Sequence, residues 1–236
     1  MNPHDRPLLD AAARGDGAAV SAALAAGAAV DARDDQLRTA LLLAVLGDHL
    51  EAARVLLAAG ADPDAADARA DSPWLVTGVT GSVRMMRLLL TAGPDLKQLN
   101  RFGGISLIPA AERGHTGYVR AVLEETAVDV DHVNRLGWTA LLEAVILGDG
   151  GPRHEEVVRL LLAAGADPAL ADLAGVTAHA HAVRLGFDGM ARLLAAAARP
   201  DAAPGPDPGQ GPRRGPQPDP RPGLRPGAAA EPGAGR

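Results

Sequence analysis

A period of thirty-three residues constrains this chain more than any other feature. The strings AAGAAVDARD from Ala25, AAGADPDAAD from Ala58, TAGPDLKQLN from Thr91 and AAGADPALAD from Ala163 are copies of one unit. Gly27, Gly60 and Gly93 stand 33 apart, and Thr126 occupies the next slot. A second landmark runs in phase: Thr39, Ser72, Ile105, Thr139 and Thr177 open short apolar runs at spacings of 33, 33, 34 and 38. The surpluses fall in TAVDVDHVN and GDGGPRHEE, both loop-like, where insertions disturb packing least. A unit of this size cannot bury an apolar face alone, so neighbours must stack to close a continuous core.

Each unit reads as a pair of helices. Thr39, Ser72, Thr139 and Thr177 supply an N-cap oxygen, and Pro73 follows Ser72 in the first-turn slot that loses no hydrogen bond. Gly27, Gly60, Gly93 and Gly165 follow Leu/Ala-rich stretches where a left-handed C-cap ends a helix. VVRLLL at 157–162 and MRLLL at 86–90 present apolar faces for a neighbour to cover. Aromatic residues make up only 2% of a chain that is 47% hydrophobic, so the core must be built from small aliphatic side chains, which suits closely packed helices. The expected class is an all-α solenoid of helix-turn-helix units with hairpin-like finger loops.

The unit resembles the ankyrin repeat, whose pattern runs D-x-x-G-x-T-P-L-H-x-A-A, then G-H, then a Val/Leu-rich second helix ending G-A-D. NRFGGISLIPAAERGHTGYVRAVL, NRLGWTALLEAV and HEEVVRLLLAAGADP follow it nearly position for position. Six units span residues 6–198, at about 6–38, 39–71, 72–104, 105–138, 139–176 and 177–198, the first and last reading as end caps of a 6–199 domain. Residues 1–5 form an N-terminal extension. From Pro200, 19 of the last 37 residues are Pro or Gly, a composition that cannot offset its own ordering entropy, so a disordered tail is expected over 200–236. Two departures stand out. Leu37 and Ala70 replace the finger glycine kept at Gly103, Gly137 and Gly175, so those two fingers are expected to bend. The histidine of T-P-L-H is absent, with Leu42, Leu75, Ile108, Leu142 and Ala180 in its place.

Several stretches carry atoms that could do chemistry, and each has a plainer reading. His179 and His181 in HAHA diverge on a helix by about 200°. The carboxylates of HEE, 154–156, suit a helix N-terminus. GDGGPR, 148–153, lacks the Lys-Ser/Thr of a phosphate loop, and DVDHVN, 129–134, lacks the glycine and distal glutamate of a calcium loop. RGD at 14–16 is a turn of the first unit. The chain has no cysteine, which removes thiolate metal sites and cysteine nucleophiles. No enzyme activity, metal or cofactor is therefore expected. A net charge of -6 disfavours a nucleic-acid groove. No basic-then-apolar leader opens the chain and no apolar run reaches the ~18–20 residues of a membrane span, so no membrane partner and a cytoplasmic location are expected.

In proteins of this pattern the fingers and the outward face of each first helix line a concave groove that binds other proteins. Carried over by position, the groove comprises Asp35, Gln36, Arg38 and Leu43; Ala68, Arg69, Asp71 and Val76; Arg101, Phe102, Gly104 and Pro109; and Arg135, Leu136, Trp138 and Glu143. Trp74 falls in the buried leucine slot of T-P-L. Trp138 falls in a variable finger slot where the preceding unit has Gly104, so its indole is expected to lie across the neighbouring finger. Tryptophan and arginine are enriched at binding hot spots, so the resemblance implies a protein or peptide partner at Arg69, Arg101, Phe102, Arg135, Leu136, Trp138 and Glu143. The functional expectation is a non-catalytic scaffold; the alternatives are a ligand sensor acting through the glycine-rich insertion at 148–154 and an unrecognised hydrolase.

Overall fold

The computed structural model describes residues 3–198; the tail expected over 200–236 lies outside them. Twelve helices occur among the described residues: α1 Asp5–Arg14, α2 Gly17–Ala25, α3 Ala40–Leu46, α4 Leu50–Ala58, α5 Pro73–Thr80, α6 Val83–Leu90, α7 Leu107–Glu112, α8 Thr116–Glu125, α9 Ala140–Ile146, α10 Pro152–Ala163, α11 Ala178–Leu185 and α12 Asp188–Ala197. They form two rows. The first helices pack in series, α1 on α3, α3 on α5, and so on to α11, and the second helices do the same from α2 to α12. One continuous apolar cluster runs from Leu8 to Leu194, made chiefly of Ala, Leu, Val and Met. No helix among the described residues is long and apolar enough to cross a membrane.

Local chemistry sets the helix ends. The side-chain oxygens of Thr39, Ser72, Thr139 and Thr177 accept from the backbone N–H three residues on, at 3.2, 3.3, 3.2 and 3.3 Å. Ile105 has no such oxygen, and α7 starts one residue late and runs only six residues. That late start leaves the Ser106 carbonyl facing α5, where a Cβ on Gly78 would stand 1.9 Å from it. Gly27, Gly60, Gly93 and Gly165 all take positive φ after their helices. In the same slot Thr126 instead turns its hydroxyl back onto the Val122 carbonyl at 2.5 Å.

The fingers are five copies of one turn. Asp34, Asp67, Asn100, Asn134 and Asp172 each accept, through one side-chain oxygen, the backbone N–H groups two and four residues on, at 2.7–3.1 Å. The bend expected at Leu37 and Ala70 does not occur. Both adopt the left-handed conformation, φ 61° and 59°, beside 75° and 77° at Gly103 and Gly137, and both close the same turn by donating to Asp34 and Asp67 carbonyls at 2.9 and 3.0 Å. The paired Asp acceptors hold the turn so firmly that the side chain bears the strain, about 1–2 kcal/mol for a left-handed L-residue.

The loops joining paired helices carry a second repeating device, hidden in the sequence. A ring from each unit lies over a left-handed glycine of the unit before: His49 over Gly15, His115 over Gly81, His154 over Gly114 and Phe187 over Gly150. The three imidazole Nε2 atoms sit 3.1, 3.1 and 2.9 Å from the carbonyls of Ala13, Val79 and Glu112, at or one residue short of the ends of first helices. The insertion at 150–154 serves this series. Asp149 accepts from Gly151 N–H at 2.9 Å and meets His154 Nδ1 at 2.8 Å, so the extra loop closes on itself and returns an imidazole to its place. One rung differs: by register Ser82 takes the ring slot, and Asp48, a non-glycine at φ 51°, takes the glycine slot.

Two substitutions test this reading of the backbone. Gly78→Ala should destabilise by roughly 2 kcal/mol or more, because the obstructing atom is backbone and cannot swing aside; calorimetric melting measures it. Ala70→Gly should raise the melting point modestly, relief of about 1–2 kcal/mol of strain exceeding the roughly 0.5–1 kcal/mol entropic cost of glycine.

Candidate groove of fingers and first helices

The finger turn presents two outward columns, one and two residues past each Asp/Asn. They read Asp35, Ala68, Arg101, Arg135, Leu173 and Gln36, Arg69, Phe102, Leu136, Ala174. Backbone bonds register neighbouring fingers: Ala68 N–H donates to Gln36 C=O at 2.9 Å and Arg135 N–H to Phe102 C=O at 2.8 Å. The aliphatic stem of Arg135 lies over Gly103 and the Leu173 side chain over Gly137, each where a Cβ would clash. At these two fingers glycine leaves room for a large side chain of the next one, whereas a Cβ on Gly175 would meet nothing within 4 Å. Leu37 occurs where the next finger offers only Ala68.

The middle fingers gather four of the expected residues into one group. The Arg101 guanidinium stands 4.4 Å from the Phe102 ring centroid, a cation–π contact, and 3.3 Å from Asp71. Arg69 Nε reaches the same carboxylate at 4.0 Å, and Arg135 Nη1 donates to Arg101 C=O at 2.9 Å. Phe102 is 39% exposed, Arg69 and Arg135 are exposed and Leu136 is half-buried. Burial pushes the Asp71 carboxyl up, and Arg101 pulls it down.

Trp138 and Glu143 lie elsewhere than expected. Trp138 is 5% exposed and belongs to the apolar cluster; its backbone is clamped by Asn134, which accepts from its N–H at 3.1 Å and donates to its C=O at 3.0 Å. An indole buries enough apolar area to prefer the core to a finger surface, and it does so although its Nε1 lacks a hydrogen-bond partner. Trp74 is fully buried, as its slot implied. Glu143 is 6% exposed and accepts from the Asn134 amide at 2.7 Å. One unit later His181 occupies the same helix position and meets Asp172 at 2.8 Å. The two pairs are matched in type: an amide faces the acid, and an acid faces the imidazole.

The Glu143 carboxyl is pushed up to about 8 by burial and by the nearby Glu112, against the pull of the Asn134 amide. Burial raises Glu112 as well. Tyr118, overlooked in the sequence, anchors the interior between α5 and α8: its hydroxyl lies 2.7 Å from Thr77 Oγ1, and burial pushes it up to about 12. Only its place in an apolar helix stripe could have signalled it.

A carboxyl whose folded pKa lies above its unfolded value binds its proton more tightly when folded. Its stabilisation is complete below the unfolded value near 4.5 and is lost as pH rises through about 8. Wild-type stability should therefore fall by roughly a few kcal/mol from about pH 5 to about pH 9. Glu143→Gln, which retains an acceptor for Asn134, should flatten that slope in pH-dependent urea melts. Trp138→Ala should cost about 3–5 kcal/mol of stability as a core deletion, measured in the same melts.

Comparison with known proteins agrees with this geometry. A family model described as ankyrin repeats in three copies matches residues 76–172, and a single ankyrin repeat model matches 36–68. The chain is 40% identical over 189 residues to YahD of Escherichia coli strain K12, a protein named for its ankyrin repeats, covering 80% of this chain and 94% of that one. A crystal structure of an ankyrin repeat domain from Acinetobacter baumannii AYE superposes with a TM-score of 0.76 at 46% identity, covering 81% of this chain and 97% of that one. The ankyrin repeat domain of Bcl-3, a member of the IkappaB family, superposes with a TM-score of 0.72 at 27% identity, covering 81% and 85%. With the stacked helix pairs, the repeated finger turn and these relatives agreeing, the chain belongs to the ankyrin-repeat family.

Proposed function

We propose that this chain is a non-catalytic protein-binding scaffold whose contact surface is the finger row Arg69, Arg101, Phe102, Arg135 and Leu136, held from behind by Trp138 and Glu143. Ankyrin-repeat domains generally serve as protein-interaction scaffolds, which supports the class. The observation that carries the location is Phe102, a large aromatic left 39% exposed in a chain with so few aromatics, flanked by arginines. Aromatic and arginine side chains dominate binding energy at protein interfaces.

The sensor reading through residues 148–154 has less support, because the loop's polar groups already have partners within the fold: Asp149 with Gly151 and His154, and His154 with Glu112. To test the scaffold reading, a partner is captured from the native host, identified, purified and titrated against wild type and variants. Phe102→Ala should weaken its binding by roughly 2 kcal/mol without altering the melting curve, whereas Arg159→Ala, on the second-helix row, should leave affinity unchanged. Equal affinity for wild type and Phe102→Ala would remove the finger row as the binding surface.

A further inference from the structure

The finger row differs in charge from the rest of the molecule. On the second-helix row several arginines pair with acids: Arg87 donates to Glu125 at 2.6 and 3.0 Å, and Glu156 takes both Arg120, at 2.7 Å, and Arg159. On the middle fingers Arg69 and Arg101 share the carboxylate of Asp71, and the Arg135 guanidinium donates to a backbone carbonyl. The three middle fingers thus carry three arginines against two aspartates, Asp67 and Asp71, on a chain whose formal net charge is -6. Between them stand the Phe102 ring and the half-buried Leu136.

The row also has a spacing. Stacked helices lie roughly 8–10 Å apart, and an extended chain advances about 3.3 Å per residue. Every third residue of an extended segment laid along the fingers therefore meets a new finger. We propose that the row binds an extended acidic segment of a partner protein, with carboxylates about three residues apart facing Arg69, Arg101 and Arg135 and an apolar side chain between them on Phe102 and Leu136. This rests on the reading of the fingers as the binding surface and adds the partner's chemistry. Arginine forks pair bidentately with carboxylates, and the mismatch of charge steers such a segment to the fingers.

The probe is a fluorescein-labelled peptide of four Glu-Val-Ser repeats, compared by anisotropy with Gln-Val-Ser and Lys-Val-Ser versions on the full chain. The acidic peptide should bind about tenfold or more tighter than the glutamine peptide, and its affinity should fall as salt rises. Arg135→Met keeps the stem over Gly103 but removes the charge; it and Arg69→Glu should each weaken the acidic peptide about fivefold or more, while Arg159→Glu changes it less than twofold. Equal binding of the glutamine peptide, preference for the lysine peptide, or no binding of any of the three would overturn the acidic assignment. If the glutamine peptide binds equally and Phe102→Ala weakens both, the finger surface stands and only the acidic chemistry falls. If the acidic peptide binds but ignores Phe102→Ala and Arg135→Met, both readings fall.

Discussion

Burial of small aliphatic side chains between consecutive helix pairs is the interaction on which everything else in this molecule depends. Each pair contributes a face of Ala, Leu and Val that only its neighbours can keep dry, and the apolar cluster accordingly runs without a break from the first helix to the last. Removing such side chains from water is worth about 25 cal/mol per Å², and the gain is collected at every junction between units. The finger row exists because of that stacking: a turn of five residues has no means of holding its own place in space, and here each is fixed by the helix that follows it.

The solenoid itself was legible in the sequence because its causes are local and repeated. Thr, Ser and Asp oxygens at fixed offsets, glycines after apolar runs and a constant period all survive without knowledge of the tertiary structure. The fingers at Leu37 and Ala70 keep the common turn where the sequence suggests a bend. The missing glycine suggests a different turn, yet the Asp34 and Asp67 carboxylates each hold two backbone N–H groups, and that pair of bonds outweighs the steric cost at one residue.

The site was less legible, because exposure is decided between units. The repeat pattern places Trp138 in a finger, but nothing in its neighbours along the chain says which way the indole turns. Glu143 reads as an outward groove residue from the chain alone; Asn100 is an amide too, with Pro109 at the matching helix position, so only the coincidence of an acid at Glu143 with the amide at Asn134 signals their bond. A second carboxylate there would have faced Glu143. The arginines and Phe102 stand at the tips of turns, which point outward whatever their composition.

The series of rings over glycines has one odd member. At four of five junctions a ring of one unit lies on the left-handed glycine of its predecessor, but at the junction between the α3–α4 and α5–α6 pairs Ser82 and Asp48 fill those slots by register, and Ser82 caps its own helix by accepting from Met85 N–H at 3.2 Å. That junction keeps its helix packing without a ring and is tied through its loops instead: the Asp64 carboxylate accepts from Asp95 N–H at 2.9 Å and the Asp64 carbonyl from the Gln98 amide at 2.6 Å. The arginine-bearing fingers stand at and after this junction, so their footing rests on loop hydrogen bonds at one step and on stacked rings at the others.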